Sequence, residues 1–322
     1  MQQELIANPM SVVPSPVTKS EDFPPPAPPP APPPPELSGY ETILAPSKGW
    51  IAVDFRELFR ARELLYFLIW RDVKVRYKQA VLGVAWVVLQ PLFNMVLFTV
   101  VFGQVANFKE KMGEWGHAYA LFVFAAMLPW QLLSTGLNNG GMSLLNQTHL
   151  LTKIYFPRLY VPTSVVGGAL FDFLVSFIFI LALMAWYHVW PSGWMVLMPL
   201  LLALTIMCTL GAAYLFSALT ITYRDFRFLI PFIGQVWMWG SFVAFPPTIW
   251  GPVGDKTRII LALNPMYGII SAWRKIILGG APDTITGWDP LSFASSVVVT
   301  IVFFLLGLYY FRKTERRFAD IA

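Results

Sequence analysis

From residue 79 onward, long apolar runs without Asp, Glu, Lys or Arg alternate with short charged segments. Five such runs occupy residues 79–108, 115–152, 173–223, 228–254 and 290–311. A helix that crosses a bilayer needs roughly 20 apolar residues. The third run is long enough for two helices, which the turn signal HVWPSG at 188–193 would separate. The pattern predicts an all-α integral membrane protein with about six membrane-spanning helices, at 81–102, 118–137, 161–186, 194–219, 228–245 and 291–311.

The segment before the first apolar run has the pattern of an amphipathic helix. Asp54, followed three residues later by Glu57, resembles the capping box that begins a helix. On a helical wheel, Tyr66, Ile69 and Val73 share an apolar stripe that Leu64, Phe67 and Leu68 interrupt, and most charged residues lie opposite. We expect residues 49–79 to contain an interface helix that lies among the lipid headgroups. Its candidate residues are Phe55, Arg60, Arg71, Lys74 and Arg76.

The N-terminal residues have a different composition. Residues 23–35 read FPPPAPPPAPPPP, which favours extended polyproline II and cannot build a core. We expect residues 1–48 to form a disordered cytoplasmic tail, or alternatively to carry a docking peptide for a proline-binding partner. Residues 80–322 then form the transmembrane domain.

Residues 246–278 do not have the pattern of a simple loop between spans. Their apolar pieces are interrupted by prolines and are each too short to cross a bilayer. Such pieces are tolerated at membrane depth where protein covers them. We therefore expect short re-entrant or interfacial helices on the outer side.

The distribution of basic residues predicts the orientation of the spans. With the N-terminus inside, the inner segments hold fifteen Lys and Arg and the outer segments hold six. Cytoplasmic loops carry the excess of Lys and Arg, so we expect a multi-pass protein of the cytoplasmic membrane with both termini inside. The pI of about 9.3 is explained by these flanks, and no nucleic-acid partner is indicated.

Sequence motifs for catalysis or cofactor binding are missing. The chain has 56% hydrophobic and 13% charged residues, one cysteine and three histidines. No G-x-x-x-x-G-K-[ST] phosphate loop, H-E-x-x-H or G-x-S-x-G motif occurs. We therefore do not expect an enzyme, and we expect no cofactor or metal in this chain.

Polar and aromatic residues within the spans are the remaining candidates for function. Asp172 is the one charge deep within a predicted span, a position that is often functional. It either forms a hydrogen bond to a neighbouring helix or takes part in coupling or substrate passage. Aromatic ring faces can stack on sugars, and the candidates for a substrate path are Trp86, Phe93, Trp130, Trp237 and Trp239.

Residues 64–103, LLYFLIWRDVKVRYKQAVLGVAWVVLQPLFNMVLFTVVFG, resemble the opening of polysaccharide-exporting ABC permeases, the O-antigen and teichoic acid exporters of bacteria. Further matches follow in the same order: LPWQ at 128–131, LTKIYFPR at 151–158, YRD at 223–225 and LNPM at 263–266. The resemblance covers about residue 49 to the C-terminus. The proline-rich tail departs from the short N-terminus usual in this family.

The resemblance implies a transport subunit of the bacterial inner membrane. It implies a homodimer with two copies of a separate ABC-type ATPase, which would hold the ATP and Mg²⁺. A lipid-linked polysaccharide would move outward between the two permeases. Residues 54–71 then look like the interface helix and 246–278 like the outer gate helices. Residues 142–158 look like the segment that docks on the ATPase, with Met142, Leu145, Leu151, Lys153, Tyr155 and Arg158 as candidate coupling residues.

Two other functions stay open at this point. One is an ABC permease for a drug or a simple lipid. The other is a membrane enzyme that acts on a polyprenyl lipid, although the sequence offers it no catalytic group.

Overall fold

The computed structural model describes residues 62–78, 83, 85–147, 156–190, 192–245, 254–315 and 318. This part of the chain contains helices and no strand. The helices are α1 (Arg62–Lys78), α2 (Ala85–Phe98), α3 (Phe108–Lys111), α4 (Tyr119–Thr135), α5 (Ser143–Asn146), α6 (Tyr160–Trp186), α7 (Met198–Thr222), α8 (Phe226–Gly240), α9 (Asp255–Ala262), α10 (Pro265–Ile277), α11 (Asp283–Thr286) and α12 (Pro290–Glu315). The predicted tail 1–48 lies outside the described residues.

Five helical segments of this part are long and apolar enough to cross a membrane. They are Ala85–Val105, Gly113–Gly140, Tyr160–Trp186, Gly193–Thr222 and Asp283–Glu315. They contain α2, α4, α6, α7 and α12, extended in several cases by π or 3-10 turns. The prediction of an all-α integral membrane protein is confirmed.

The sixth predicted span, 228–245, is shorter in the structure. Helix α8 has 15 residues, a rise of about 22 Å against a hydrocarbon core of about 30 Å. The helix stops because Phe242 takes the left-handed conformation, with φ of 54°. The backbone N–H of Ser241 still donates to the carbonyl of Trp237 at 2.9 Å, and bends continue to Phe245.

Helix α4 is the centre of the helix packing. It contacts α2, α6, α7 and α10, and 14 of its 17 residues are buried. A span buried on all sides requires apolar residues around its whole circumference. The sequence of α4, YALFVFAAMLPWQLLST, meets that requirement until its last two turns, where Gln131, Ser134 and Thr135 appear.

Helices α7 and α12 form a closely packed parallel pair. A Cβ atom at Gly211 would lie 2.9 Å from the Cα of Phe304, so only glycine permits this separation. The rings of Tyr214 and Phe311 meet one turn further along, at 5.7 Å between centroids. Cys208, the one cysteine of the chain, lies on α7 and is buried.

Two short helices occupy the described part of the segment 246–278, as the sequence predicted. Asn264 is the N-cap of α10 and accepts a hydrogen bond from the backbone N–H of Met266 at 3.1 Å. Helix α10 is almost completely buried against α4, α7 and α12. Helix α9 instead exposes Ile259 and Ile260.

Candidate functional site

Helix α1 packs along the first half of the span α6. Leu68 and Val73 are buried in this contact. Ile69 lies against Gly167, where a Cβ atom would come within 2.5 Å of Ile69 Cδ1. Tyr66, which the pattern places beside Ile69 and Val73, is 68% exposed.

Some of the charged groups on α1 face α6. Arg76 forms an ion pair with Asp172 of α6, and the Tyr77 hydroxyl donates to the same carboxylate. One turn earlier, Asp72 pairs with Arg71 at 2.8 Å and accepts a hydrogen bond from Ser164 Oγ at 3.3 Å. A packing face built from paired charges has no simple hydropathy pattern.

Asp172 is therefore held by two donors from α1. Burial, with the hydrogen bond to Asp172 and its negative charge, raises the pKa of the Tyr77 phenol above its ordinary value. The phenol accordingly stays protonated and acts as a donor. Of the alternatives raised for Asp172, the structure contains the hydrogen bond to a neighbouring helix.

A cavity of about 440 Å³ opens beside this ion pair, between α1, α2, α4 and α6. Each helix lines it with one face. The residues are Arg76 and Tyr77 from α1; Trp86, Val87, Gln90 and Pro91 from α2; Phe124, Met127, Leu128, Gln131, Leu132, Ser134 and Thr135 from α4, with Asn138 and Asn139 after it; and Ala169, Asp172, Phe173 and Ser176 from α6. Gly83 completes the wall.

The α4 wall changes from apolar to polar along its length. Gln131, Ser134, Thr135 and Asn138 follow the spacing of a single helix face. The earlier residues of the same wall, including Phe124, are apolar. One end of the cavity therefore offers hydrogen-bonding groups and the other end offers an apolar surface.

A π-helical segment, Gly136–Gly140, forms part of the polar end. Single π turns interrupt helices frequently at functional sites. Here the segment carries Asn138, whose Nδ2 donates to the carbonyl of Ser134 at 2.8 Å, and Asn139, which is exposed.

The five aromatic residues predicted for a substrate path lie in different environments. Trp86 lines the cavity. Trp130 is buried in the core, whereas Phe93 and Trp239 are exposed by 61% and 41%. Trp237 is half-buried, and its Nε1 donates to Asn264 Oδ1 at 2.9 Å. The structure does not bring these five rings together within one chain.

The predicted coupling residues are described only in part, because Leu151, Lys153 and Tyr155 lie outside the described residues. Met142 and Leu145 are half-buried, while their neighbour Leu144 is fully buried. Arg158 donates to the carbonyl of Glu315 and stacks over Phe318.

The remaining candidate residues of the interface helix differ in their surroundings. Arg71 contacts Gln147 beyond α5, with 3.3 Å between Nη2 and Oε1, in addition to its ion pair with Asp72. Lys74 is exposed above the ring of Trp70. Phe55 and Arg60 lie outside the described residues. Helix α1 is thus joined both to α6 and to the segment after α5.

A second polar network joins the end of α8 to α10. The Asn264 side chain, which caps α10 and accepts from Trp237, also donates to the Gly240 carbonyl and to Ser241 Oγ, both at 3.0 Å. The buried Arg274 donates to the carbonyls of Val243 at 2.6 Å and Phe242 at 3.0 Å. These bonds hold the bend that follows α8.

Sequence reasoning did not find Tyr77, Gln147 or Arg274, and it counted Arg274 among the charges of the outer flank. The helical spacing of Gln131, Ser134, Thr135 and Asn138 was a usable signal for the cavity wall. Within the described part of the chain, no group of His, Cys, Asp and Glu is placed to hold a metal ion.

Comparison with known proteins gives a consistent result. A family model described as "ABC-2 type transporter" matches residues 63–278. The chain is 30% identical over 263 residues to the O-antigen export system permease protein RfbA of Myxococcus xanthus, covering 81% of this chain and 96% of that protein. Two proteins of the same name from Klebsiella pneumoniae are 25% identical, with 80% of this chain and 95% of each relative covered.

Proposed function

Because the chain belongs to the ABC-2 type transporter family, we propose that it is the membrane-spanning permease of an ATP-driven exporter of a lipid-linked polysaccharide. The observation that carries this proposal is the similarity to O-antigen export permeases over nearly their whole length. Its role is transport, and ATP hydrolysis takes place on a separate ATPase subunit. Two copies of the permease form the transporter in the bacterial inner membrane.

The charge asymmetry of the sequence supports an orientation with both termini in the cytoplasm. In this orientation α1 lies at the cytoplasmic surface, and the polar end of the cavity lies on the same side. The network of Asn264 and Arg274 then lies toward the outer side, where the chain bends after α8.

Contacts around α1 suggest how the ATPase would move the spans. Arg71 joins α1 to Gln147, which lies within the segment 142–158 proposed to dock on the ATPase, and Arg76 joins α1 to Asp172 in the middle of α6. A displacement of the docking segment would therefore be transmitted through α1 to a span that lines the cavity. In each of these contacts the donor is a guanidinium, and such charge-assisted hydrogen bonds are stronger than neutral ones.

The proposal is tested in the bacterium that carries this gene. Deletion of the gene should remove the polysaccharide from the cell surface, while lipid-linked polysaccharide accumulates at the inner membrane. Restoration by the full chain, expressed with its own ATPase, is the control. Unchanged surface polysaccharide in the deletion strain would contradict the proposed function.

A further inference from the structure

We propose that Arg158 positions the docking segment, residues 142–158, by binding to the end of α12, and that it does not itself contact the ATPase. This inference rests on the proposed function, and it gives Phe318, which follows α12, a role in coupling. The sequence marks Arg158 only as a candidate coupling residue. In the structure, its side chain has partners inside the permease.

The guanidinium of Arg158 has two partners at the end of α12. It donates to the carbonyl of Glu315, the last residue of that helix, and the last carbonyls of a helix have no partner within the helix. Its Cζ also lies 6.0 Å from the centroid of the Phe318 ring, at the distance of a cation–π contact. The end of the docking segment is therefore joined to the last span.

Phe318 is itself held within a buried apolar cluster. It is fully buried, and its ring meets that of Phe311 edge to face at 5.4 Å. Phe311 in turn lies 5.7 Å from the ring of Tyr214 on α7, and Leu144 and Leu159 belong to the same cluster. A closely packed ring cannot move without displacing its neighbours, so it gives the guanidinium a fixed partner.

The same cluster holds both described flanks of the docking segment. Leu144 of α5 is fully buried, and Leu159, which directly follows Arg158, is 2% exposed. The hydroxyls of Thr163 and Tyr214 meet at 2.8 Å and bind the start of α6 to α7. Loss of the Arg158 contacts would release one flank. The affinity for the ATPase then falls with the fraction of permease that keeps the docking segment in place.

The test is a double-mutant cycle on the affinity of the purified ATPase for the full-length permease in lipid nanodiscs. Arg158→Met keeps the aliphatic chain and removes the guanidinium, whereas Phe318→Leu keeps an apolar side chain and removes the ring. Each variant should bind the ATPase about three- to tenfold more weakly. The double variant should bind like Arg158→Met alone, because both substitutions break one contact.

Two results of this cycle would overturn the proposal. If Arg158 contacts the ATPase directly, the losses from the two substitutions multiply in the double variant. If the contact with α12 has no role in coupling, both single variants bind the ATPase like wild type. Arg158→Gln, which keeps a donor for the carbonyl of Glu315 without the charge, carries the same cycle if Arg158→Met does not fold.

Lys111→Met is the matched control. It also removes a cation from above a phenylalanine ring, since the Nζ of Lys111 lies 5.4 Å from the centroid of Phe108. In the proposed orientation this pair lies on the outer side, so the affinity for the ATPase should stay at the wild-type value. An equal weakening in Lys111→Met would show that the loss of any such pair lowers the affinity, and would refute the assignment.

The wild-type measurement separates the failure of the two proposals. If the wild-type permease does not bind the ATPase, the proposed function is refuted. If it binds the ATPase and the losses multiply in the double variant, the positioning role of Arg158 alone is refuted.

Discussion

Arg274 gives the sharpest prediction about the fold. It is 1% exposed, and its guanidinium donates to the carbonyls of Val243, Phe242 and Phe122 at 2.6, 3.0 and 3.4 Å. Its Cζ also lies 3.7 Å from the centroid of the Phe122 ring. Arg274→Met keeps an apolar chain of similar length and removes every one of these interactions.

The expected loss of stability follows from those partners. A buried carbonyl left without a donor costs about 1–3 kcal/mol, and a desolvated cation–π contact contributes about 2 kcal/mol. Since one substitution removes them together and they are not additive, we expect about 3–5 kcal/mol in total. At about 2–4 °C per kcal/mol for a domain of this size, the thermal midpoint should fall by roughly 6–20 °C.

The chain supplies its own probe for this measurement. Cys208 is its one cysteine and is buried between spans, so a thiol-reactive fluorescent maleimide reports when the purified permease unfolds. The matched control is Arg258→Met, because the ion pair of Arg258 with Asp289 is exposed and such a pair contributes about 0–1 kcal/mol.

The thermal midpoints of the two variants test this reasoning. Arg274→Met should unfold at a much lower temperature than Arg258→Met, which should stay close to wild type. Equal midpoints for the two variants would refute the reasoning that Arg274 holds the bend after α8.

Three further predictions concern the cavity, the docking segment and the energy source. Asp172→Asn should lower the thermal midpoint by several degrees, because Arg76 loses its charged partner. A variant in which Asp172 and Arg76 are exchanged should recover part of the lost thermal midpoint. No change of the midpoint in either variant would show that the ion pair does not stabilise the fold. Leu144→Asp should prevent normal accumulation of the permease, since Leu144 is fully buried. Leu145→Asp should instead leave a folded permease that no longer co-purifies with its ATPase. Wild-type ATPase association in Leu145→Asp would contradict the docking assignment. The purified permease alone should not bind ATP, because it has no phosphate loop, and saturable nucleotide binding by equilibrium dialysis would disprove this.

The spans could be predicted because the membrane imposes a simple rule on sequence. A charge-free run of sufficient length is needed to cross the bilayer. Four of the five runs overlap the five long segments of the structure, because the run 173–223 overlaps two of them. Helix α8 was predicted too long because its run of apolar residues continues past Gly240. The bend there depends on Asn264 and Arg274, which are distant in the sequence.

The cavity and the face of α1 were less predictable because they also depend on contacts between residues that are distant in the sequence. The helical wheel assigns Asp72 to the charged side of α1, but its carboxylate accepts a hydrogen bond from Ser164 of α6. Arg274 looked like an ordinary flanking charge because its partners are backbone carbonyls, which every residue has. The polar stripe from Gln131 to Asn138 could be seen in the sequence, whereas the opposite walls from α2 and α6 required the fold.

Transport in inverted membrane vesicles tests the central claim most directly. Vesicles that contain the permease and its ATPase are given radiolabelled lipid-linked polysaccharide on their outer face, which corresponds to the cytoplasmic side. Addition of ATP should make the polysaccharide resistant to an added glycosidase, and vesicles that lack either subunit should give no protection. Protection that needs no ATP, or that is equal without this chain, would contradict the account.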